Sequence, residues 1–192
     1  MTGVQTCALP IYAVCELHPL GFNEIQLGLP HYNVDLDNLV KLRDWLGLSY
    51  SVHAPFPAVK GFICNAASGD REVFEKSRSI FLESIDNAGK IGAGLVVVHV
   101  AEPGGENSLD ASIEMFRVLA EKALREDITV CIENKMPNSD VGYSPEDIRK
   151  ILDEVAVENL GVCFDTGHAI ASLGSERKAL EFMDSFREDI RD

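Results

Sequence analysis

Short apolar runs alternate along the chain with longer segments of helical periodicity. The runs are rich in Val, Ile and Leu, as in strands that are buried on both faces, and the longer segments have apolar residues three and four positions apart, as amphipathic helices do. The predicted strands are 22–29, 49–52, 95–98, 129–132 and 161–164. The predicted helices are 33–46, 70–91, 109–125, 145–155 and 175–190, and residues 12–20 have the pattern of the end of another helix.

Capping residues mark where several of these helices begin and end. Asp35 is predicted as the N-cap of the first complete helix and Gly47 as its stop, and Ser144 followed by Pro145 marks a later helix start. The apolar stripe of the first complete helix is predicted at Leu36, Leu39, Val40, Leu42 and Trp45.

The alternation of strands and helices predicts parallel strands joined by crossover helices. The polar strand ends at residues 99, 133 and 165 recur at close to the interval of about 31 residues expected for an eight-unit barrel of about 250 residues. We therefore predict an α/β fold, a (β/α)8 TIM barrel truncated to about strands 2–6 with their helices. An open doubly wound sheet is the alternative, but no GxGxxG follows the first strand and there is no P-loop.

The stretch 161–169 combines a buried strand with a polar end. Its apolar run stops at Asp165, and a Thr-Gly turn leads to His168. Residues three apart on a straight strand point to opposite faces, but Gly167 allows the chain to curl so that both side chains converge on one ion or substrate. The alternative is a strand end with an Asx turn and a hydrogen-bonded histidine.

Composition and charge narrow the classes of function. The chain has 192 residues, enough for one domain with a sizeable core, and its formal net charge is -14. This charge disfavours a general nucleic-acid binder, although a nuclease with a local basic patch stays open. No apolar run approaches the roughly 20 residues of a membrane span, so no membrane partner is expected. The five cysteines form no CxxC pair, which indicates reduced thiols and a cytoplasmic protein.

The first eleven residues differ in character from the rest. Residues 1–11 lack the basic region and apolar core of a signal peptide, and they resemble the conceptual translation of a common sequencing-adapter oligonucleotide. We interpret them as a scar joined to a truncated gene and residues 12–192 as a partial barrel domain. A natural N-terminal arm is the alternative.

Ligand-type side chains stand at the ends of successive predicted strands. His53, His99, Glu133 and Asp165 each follow an apolar run, and His168 lies three residues beyond the last of them. In a parallel barrel all strand C-termini lie on one face, where active sites are built. Imidazoles and carboxylates together are suitable ligands for Zn2+, Mn2+ or Co2+. The sequence therefore predicts a divalent metal site at this face.

These motifs in this order resemble the xylose isomerase-like barrel superfamily, which joins endonuclease IV with sugar and sugar-phosphate isomerases and epimerases. The resemblance extends over residues 12–192. It is carried by His53-Ala54-Pro55, Asn65-Ala66-Ala67-Ser68, His99, Glu133-Asn134 and Asp165-Thr166-Gly167-His168.

The resemblance implies roles for these residues, and the roles differ between the two branches. In the endonuclease IV-like branch, His53 and His99 match ligands of a first zinc ion. Glu133 matches the residue that bridges this ion to a second zinc ion, and Asp165 matches another ligand of the second ion. His168 matches a ligand of a third zinc ion. In the isomerase branch, Glu133 and Asp165 match ligands of a single Mn2+, Mg2+ or Co2+, and His168 matches a residue that contacts substrate.

From these matches we predict the site residues and their roles. The predicted metal ligands are His53, His99, Glu133, Asp165 and His168. The predicted catalytic residues are Glu133 and His168, and the predicted substrate contacts are Asn65, Asn134 and His168.

The sequence also departs from the family pattern. The first strand is expected to be missing, and strands seven and eight with their ligands fall beyond residue 192, so we expect this fragment to be inactive alone. Gln26 stands where many isomerases have an acid, and Val100-Ala101-Glu102 follows His99 where Pro-Gly is commoner.

The sequence is compatible with three functions. The first is a metal-dependent isomerase or epimerase of a small sugar or sugar phosphate, which the acidic charge favours. The second is an endonuclease IV-like zinc phosphodiesterase acting at abasic sites in DNA, which the pair His53 and His99 favours, because a one-metal isomerase does not need both. The third is a non-catalytic relative that binds a ligand.

Overall fold

The computed structural model describes residues 3–6, 15–29, 35–55, 61–103 and 105–192. In these ranges a single parallel sheet has its strands in the order β1 to β6, each beside its neighbour in sequence. The strands are β1 Gly3–Thr6, β2 Glu24–Gly28, β3 Ser49–His53, β4 Leu95–His99, β5 Thr129–Glu133 and β6 Leu160–Cys163. This sequential order is that of a TIM barrel, and the predicted α/β fold class is confirmed.

Helices connect the strands on the outside of the sheet. They are α1 Leu36–Leu46, α2 Arg71–Ile91, α3 Leu109–Leu124, α4 Pro145–Val155, α5 Thr166–Leu173 and α6 Glu176–Ser185, with 3-10 turns at His18–Leu20 and Pro137–Ser139. The predicted caps are confirmed: Asp35 accepts a hydrogen bond from the backbone N–H of Asn38, and Ser144 accepts one from that of Asp147. Of the helix end predicted at 12–20, residues 12–14 lie outside the described ranges and 15–17 are helical.

The prediction that Trp45 belongs to the buried stripe of α1 is wrong. Leu39 and Leu42 are buried, whereas Trp45 is 76% exposed. Each step of three residues along a helix of 3.6 residues per turn rotates the side chain by about 60° away from the starting face. Three such steps place Trp45 on the side opposite Leu36.

In the described ranges the structure contains one helix that the sequence pattern did not predict. Residues 166–173, expected as a turn and loop, form α5, and Asp165 is its N-cap. The helix expected at 175–190 ends at Ser185 instead. The chain then turns, and Ile190 pairs in parallel with Val162 beside β6. The backbone groups of residues 189–192 form hydrogen bonds with β6, and these replace the hydrogen bonds that a longer helix would have made.

The C-terminal residue reaches across the sheet to β2. The side chain of Gln26 donates a hydrogen bond of 3.1 Å to Oδ2 of Asp192. Gln26, the position singled out as a departure from the family pattern, is therefore a buried residue of the inner face in contact with the end of the chain.

A strand precedes β2, although none was expected there. Gly3–Thr6 runs parallel to β2 in register with Glu24 to Leu27. An open sheet edge presents unpaired backbone groups that a passing segment can satisfy, which explains how residues assigned to a scar join the sheet. The origin of residues 1–11 stays a prediction.

The core has two layers because alternate residues of each strand face opposite sides. The large layer lies between the sheet and the helices and contains Val52, Val96 and Ile132 together with Phe74 and Phe116. A small inner layer consists of Val97, Cys131 and Cys163, with Leu95 packed against it. This inner layer lies below the carboxyl ends of β4, β5 and β6. No helix in the described ranges is long and apolar enough to cross a membrane.

The buried cysteines are expected to be chemically inert in the folded protein. Burial raises the pKa of Cys131 to about 12 and that of Cys64 to about 12, and thiolate is the reactive form. Cys15 is exposed. Iodoacetamide at pH 8 should modify Cys15 at least about 100-fold faster than Cys131, measured by mass spectrometry of peptides after timed alkylation. Alkylation in guanidinium is the control, and equal native rates would contradict the buried placement.

Candidate metal centre

Three buried side chains meet at the carboxyl ends of neighbouring strands. His53 ends β3, His99 ends β4 and Glu133 ends β5. Nε2 of His53 lies 2.9 Å from Oε2 of Glu133, and Nε2 of His99 lies 3.1 Å from the same oxygen. The donor atoms of this trio are all within 4.8 Å of one another, which is the spacing of ligands around one ion.

The outer nitrogens of both rings are held by oxygen acceptors. Nδ1 of His53 is 2.7 Å from the carbonyl oxygen of Ala54, and Nδ1 of His99 is 2.7 Å from Oε1 of Glu102. If each Nδ1 carries the proton, both Nε2 lone pairs face the negative oxygen of Glu133. A cation, either a proton or a metal ion, is then required between them, so the trio fits a bound metal ion.

The two imidazoles beside Glu133 determine the charge of this carboxyl group. Burial alone would raise the pKa of Glu133, but hydrogen bonds from His53 and His99 outweigh it and hold the pKa of this carboxyl well below its usual range. Burial likewise opposes the charged form of His99, but hydrogen bonds to Glu102 and Glu133 outweigh it and raise the pKa of this imidazole. Glu133 is therefore a carboxylate, ready to bind a cation.

A second trio shares Glu133 and opens towards solvent. The donor atoms of Glu133, Asp165 and His168 lie within 4.8 Å of one another. Side-chain exposure is 30% for Asp165 and 21% for His168, whereas Glu133 is almost fully buried. Of the two trios, this second one is accessible from solvent.

Helix capping brings Asp165 and His168 together. Oδ1 of Asp165 accepts a hydrogen bond of 2.6 Å from the backbone N–H of His168 in the first turn of α5. Nδ1 of His168 lies 2.8 Å from the carbonyl oxygen of Asn134. The side chains of Asp165 and His168 were expected to converge through a curl at Gly167. They converge instead because Asp165 is the N-cap of α5 and His168 lies in the first turn of this helix.

Asn134 joins β5 to the segment that carries Asp165. Its Oδ1 accepts a hydrogen bond of 2.8 Å from the backbone N–H of Asp165, and its Nδ2 donates one of 3.0 Å to the carbonyl oxygen of Asp165. The residue is fully buried. These contacts are those of a residue that positions Asp165, and substrate contact by Asn134 stays a prediction.

Replacing Asn134 with Asp should disrupt this link, because the new carboxylate oxygen would face the carbonyl oxygen of Asp165. We expect the free energy of unfolding to fall by about 1–3 kcal/mol, as for a buried group that loses its partner. Urea unfolding measures the change. Asn138→Asp, on an exposed side chain in the same loop, is the control, and equal stability of the two variants would contradict the positioning role.

Asn65 has a similar place in the loop after β3. Its Oδ1 accepts hydrogen bonds from the backbone N–H groups of Ala67, at 3.0 Å, and Glu102, at 3.2 Å, and its Nδ2 donates to Asn107. Asn65 therefore ties its own loop to the loop after β4. Its predicted substrate contact stays a prediction.

Two charged residues of this region were not among the predicted site residues. Glu102 and Lys135 are buried at 4% and 2% exposure and both contact His99. Lys135 stands two positions after Glu133, so the alternation of β5, if continued, predicts it on the inner face. No comparable periodicity marks Glu102, which follows the end of β4.

The structure thus brings together all five predicted ligands, as two trios that share Glu133. Three imidazoles and two carboxylates form a donor set that suits Zn2+, Mn2+ or Co2+. The identity of the ion and the role of each ligand stay predictions.

Comparison with known proteins gives a family and several relatives. A family model described as "Xylose isomerase-like TIM barrel" matches residues 15–190. A protein named probable endonuclease 4 from Carboxydothermus hydrogenoformans is 29% identical over 145 residues, which are 73% of this chain and 48% of that protein. The chain spans about half the length of the curated relatives it matches.

Two solved structures have the same fold. A D-tagatose 3-epimerase-like protein aligns with a TM-score of 0.80 at 22% identity, covering 97% of this chain and 71% of that one. A protein from Thermus thermophilus soaked with ZnCl2 aligns with a TM-score of 0.67 at 25% identity, covering 86% of this chain and 67% of that one.

Proposed function

Since the chain belongs to the xylose isomerase-like TIM barrel family, we propose that it is part of a divalent-metal-dependent isomerase or epimerase of a small sugar or sugar phosphate. The observation that carries this proposal is the open trio of Glu133, Asp165 and His168, in which a carboxylate and an imidazole are accessible beside a buried carboxylate. The trio of His53, His99 and Glu133 is buried, so of the two trios in the described ranges we expect the substrate to contact the one that contains Asp165 and His168.

Glu133, Asp165 and His168 have different roles in the proposed reaction. A bound divalent ion would polarise the carbonyl and the adjacent hydroxyl of the substrate. Glu133, which both trios share, would help to hold the ion, and its role as the catalytic residue that accepts a proton from the carbon beside the carbonyl is part of this proposal. His168 orients the substrate hydroxyl, since its Nδ1 is engaged with Asn134 and its ring is partly exposed. Asp165 would supply a further carboxylate ligand to the ion.

Charge also supports a small substrate. The formal net charge of -14 repels a polyanion such as DNA. The same repulsion is smaller for a small ligand that carries little or no negative charge. The 22% identical D-tagatose 3-epimerase-like structure supports the fold of this proposal, and its name supports the choice of sugars as the first substrates to test.

A phosphodiesterase acting at abasic sites in DNA is the second candidate. The sharing of Glu133 by two trios favours it, because paired ions joined by one carboxylate can hold both oxygens of a displacement. The 29% identical relative named probable endonuclease 4 gives it further support.

The number of ions and the type of substrate distinguish the candidates. Calorimetric titration of metal-free protein with Mn2+ and Zn2+ should give one ion per chain for the isomerase and two or more for the phosphodiesterase. The protein extended to the length of its relatives, incubated with ketoses and ketose phosphates in D2O, should incorporate deuterium beside the carbonyl, as seen by NMR. Cleavage of an abasic oligonucleotide without such exchange would overturn the isomerase proposal.

A further inference from the structure

We propose that Asn107 is a positioning residue, whose side-chain amide fixes the loops after β3, β4 and β5 relative to one another and thereby holds His99 beside the other ligands of the buried trio. These loops follow the strands that end in His53, His99 and Glu133. The inference rests on the proposed metal-dependent function and concerns how the ligands of that site are held in place.

Asn107, Asn65 and Glu102 form a closed ring of hydrogen bonds. Nδ2 of Asn107 donates to the carbonyl oxygen of Glu102 over 2.9 Å, and Oδ1 of Asn107 accepts from Nδ2 of Asn65 over 2.8 Å. Oδ1 of Asn65 in turn accepts from the backbone N–H of Glu102 over 3.2 Å. The N–H and the carbonyl group of Glu102 are therefore both held by side-chain amides.

The same side chain of Asn107 also reaches the loop after β5. Its Nδ2 donates to the carbonyl oxygen of Ser139, which is a fully buried residue. An amide nitrogen carries two N–H groups, so the carbonyl groups of two loops can share it. A backbone bridge between Ser68 and Asn107 aligns the loops after β3 and β4. This bridge joins two loops, whereas the side chain of Asn107 joins three.

Glu102 connects Asn107 to the imidazole of His99. Oε1 of Glu102 lies 2.7 Å from Nδ1 of His99, and Nζ of Lys135 lies 3.1 Å from the same nitrogen. On the other side of the ring, Nε2 of His99 lies 3.1 Å from Oε2 of Glu133. These contacts fix the orientation of the ring whichever nitrogen carries the proton. A displacement of the backbone at Glu102 should therefore move the ring relative to Glu133.

Asn159 provides a matched comparison at the opposite end of the sheet. It is also half-buried, and its Nδ2 donates to the carbonyl oxygens of Ala120, at 3.0 Å, and Ile128, at 2.8 Å. It stands directly before β6, whereas the candidate ligands of the buried trio end their strands. Asn107→Ala removes a doubly donating amide beside the candidate metal centre, and Asn159→Ala removes one far along the strands from it.

Two measurements on the metal-free chain test the positioning. In the wild type, the backbone N–H of Glu102 should exchange with solvent at least about 10-fold more slowly than that of Gly105, which is exposed in the same loop. Asn107→Ala should remove this protection and shift the NMR resonances of the His99 ring. Asn159→Ala should lower the urea midpoint of unfolding by a comparable amount and change neither reading.

Two further measurements test the consequence for metal binding. Zn2+ affinity, measured by competition with a chromogenic chelator, should fall at least about threefold in Asn107→Ala, less than the roughly 10- to 100-fold lost with a direct partner of a ligand. The visible absorption bands of bound Co2+ depend on coordination geometry and should shift in the same variant. Asn159→Ala should keep the wild-type affinity and bands. Asn107→Asp, which replaces the donor with a second oxygen, should behave like Asn107→Ala.

The outcomes separate this inference from the proposed function. Unchanged His99 resonances in Asn107→Ala would overturn the positioning role, and so would equal losses of Zn2+ affinity in Asn107→Ala and Asn159→Ala. If neither Asn107 variant folds, equal exchange rates of Glu102 and Gly105 in the wild type would contradict the inference. If the wild type binds neither ion while the His99 resonances shift as expected, the positioning role stands and the proposed metal-dependent function fails.

Discussion

Glu133→Gln is expected to abolish high-affinity metal binding by this chain. Glu133 is the one residue that both trios share within the part of the chain the structure describes. Its Oε2 faces His53 and His99, and its Oε1 faces His168. The amide removes the negative charge from both sites and replaces one acceptor oxygen with a donor. We expect Zn2+ affinity to fall by more than the roughly 10- to 100-fold that loss of an outer partner causes.

Thermal unfolding with and without Zn2+ provides the measurement. At an ion concentration 100 times the dissociation constant, wild-type protein should gain about 2.7 kcal/mol of stability, and Glu133→Gln at the same concentration should gain almost none. Glu158→Gln, on an exposed side chain just before β6, is the matched control. A variant that keeps affinity within threefold of the wild type would refute Glu133 as the shared ligand.

Gly142→Ala is expected to cause the largest loss of stability among single methyl additions at the glycines whose surroundings the structure describes. Gly142 has φ of +78°, a conformation in which L side chains are strained, and an added Cβ would lie 1.8 Å from Cγ1 of Val100. Val100 is fully buried and follows His99 directly. The loop cannot easily move, because Gly142 donates to Asp147 and accepts from Lys135.

Backbone strain of about 1–3 kcal/mol and overpacking of a similar size add here, so the free energy of unfolding should fall by about 3 kcal/mol or more. Chemical denaturation measures this. Gly94→Ala is the control, because an added Cβ at Gly94 meets nothing within 4 Å and its φ is not positive. A loss below about 0.5 kcal/mol for Gly142→Ala, the size of an ordinary surface change, would contradict the described packing.

Gly142→Ala should also weaken metal binding. Displacement of Val100 moves the backbone beside His99, and displacement of the Gly142 carbonyl releases the N–H of Lys135. The variant therefore tests whether the loop after β5 supports the metal centre as well as the core. Zn2+ competition on the folded fraction measures this second effect.

Local patterns in the sequence were sufficient to predict most of the fold. Strand positions, the helix starts at Asp35 and Ser144 and the parallel order follow from periodicity and caps, which involve residues close together in the chain. The helix α5 was missed because Thr-Gly after Asp165 is also a turn signal, and its N-cap role emerges only from the hydrogen bond to His168.

The candidate ligands were also predictable, because a parallel barrel brings its strand C-termini to one face. His53, His99 and Glu133 end consecutive strands, so their approach follows from topology alone. Which atoms meet does not follow, since His53 and Glu133 are 80 residues apart on strands that are not neighbours in the sheet. That His53 and His99 contact the same oxygen of Glu133 is visible only in the structure.

The sequence by itself determined the family, the sheet order and the set of ligand-type residues, since these depend on residue types and spacing. Only the tertiary structure decided that Asn134 and Asn65 hold backbone in place, and that Glu102 and Lys135 stand behind His99. Hydrogen-bond partners are selected by distances of about 3 Å between atoms on different loops, and those distances are set by packing of the whole sheet rather than by any local pattern.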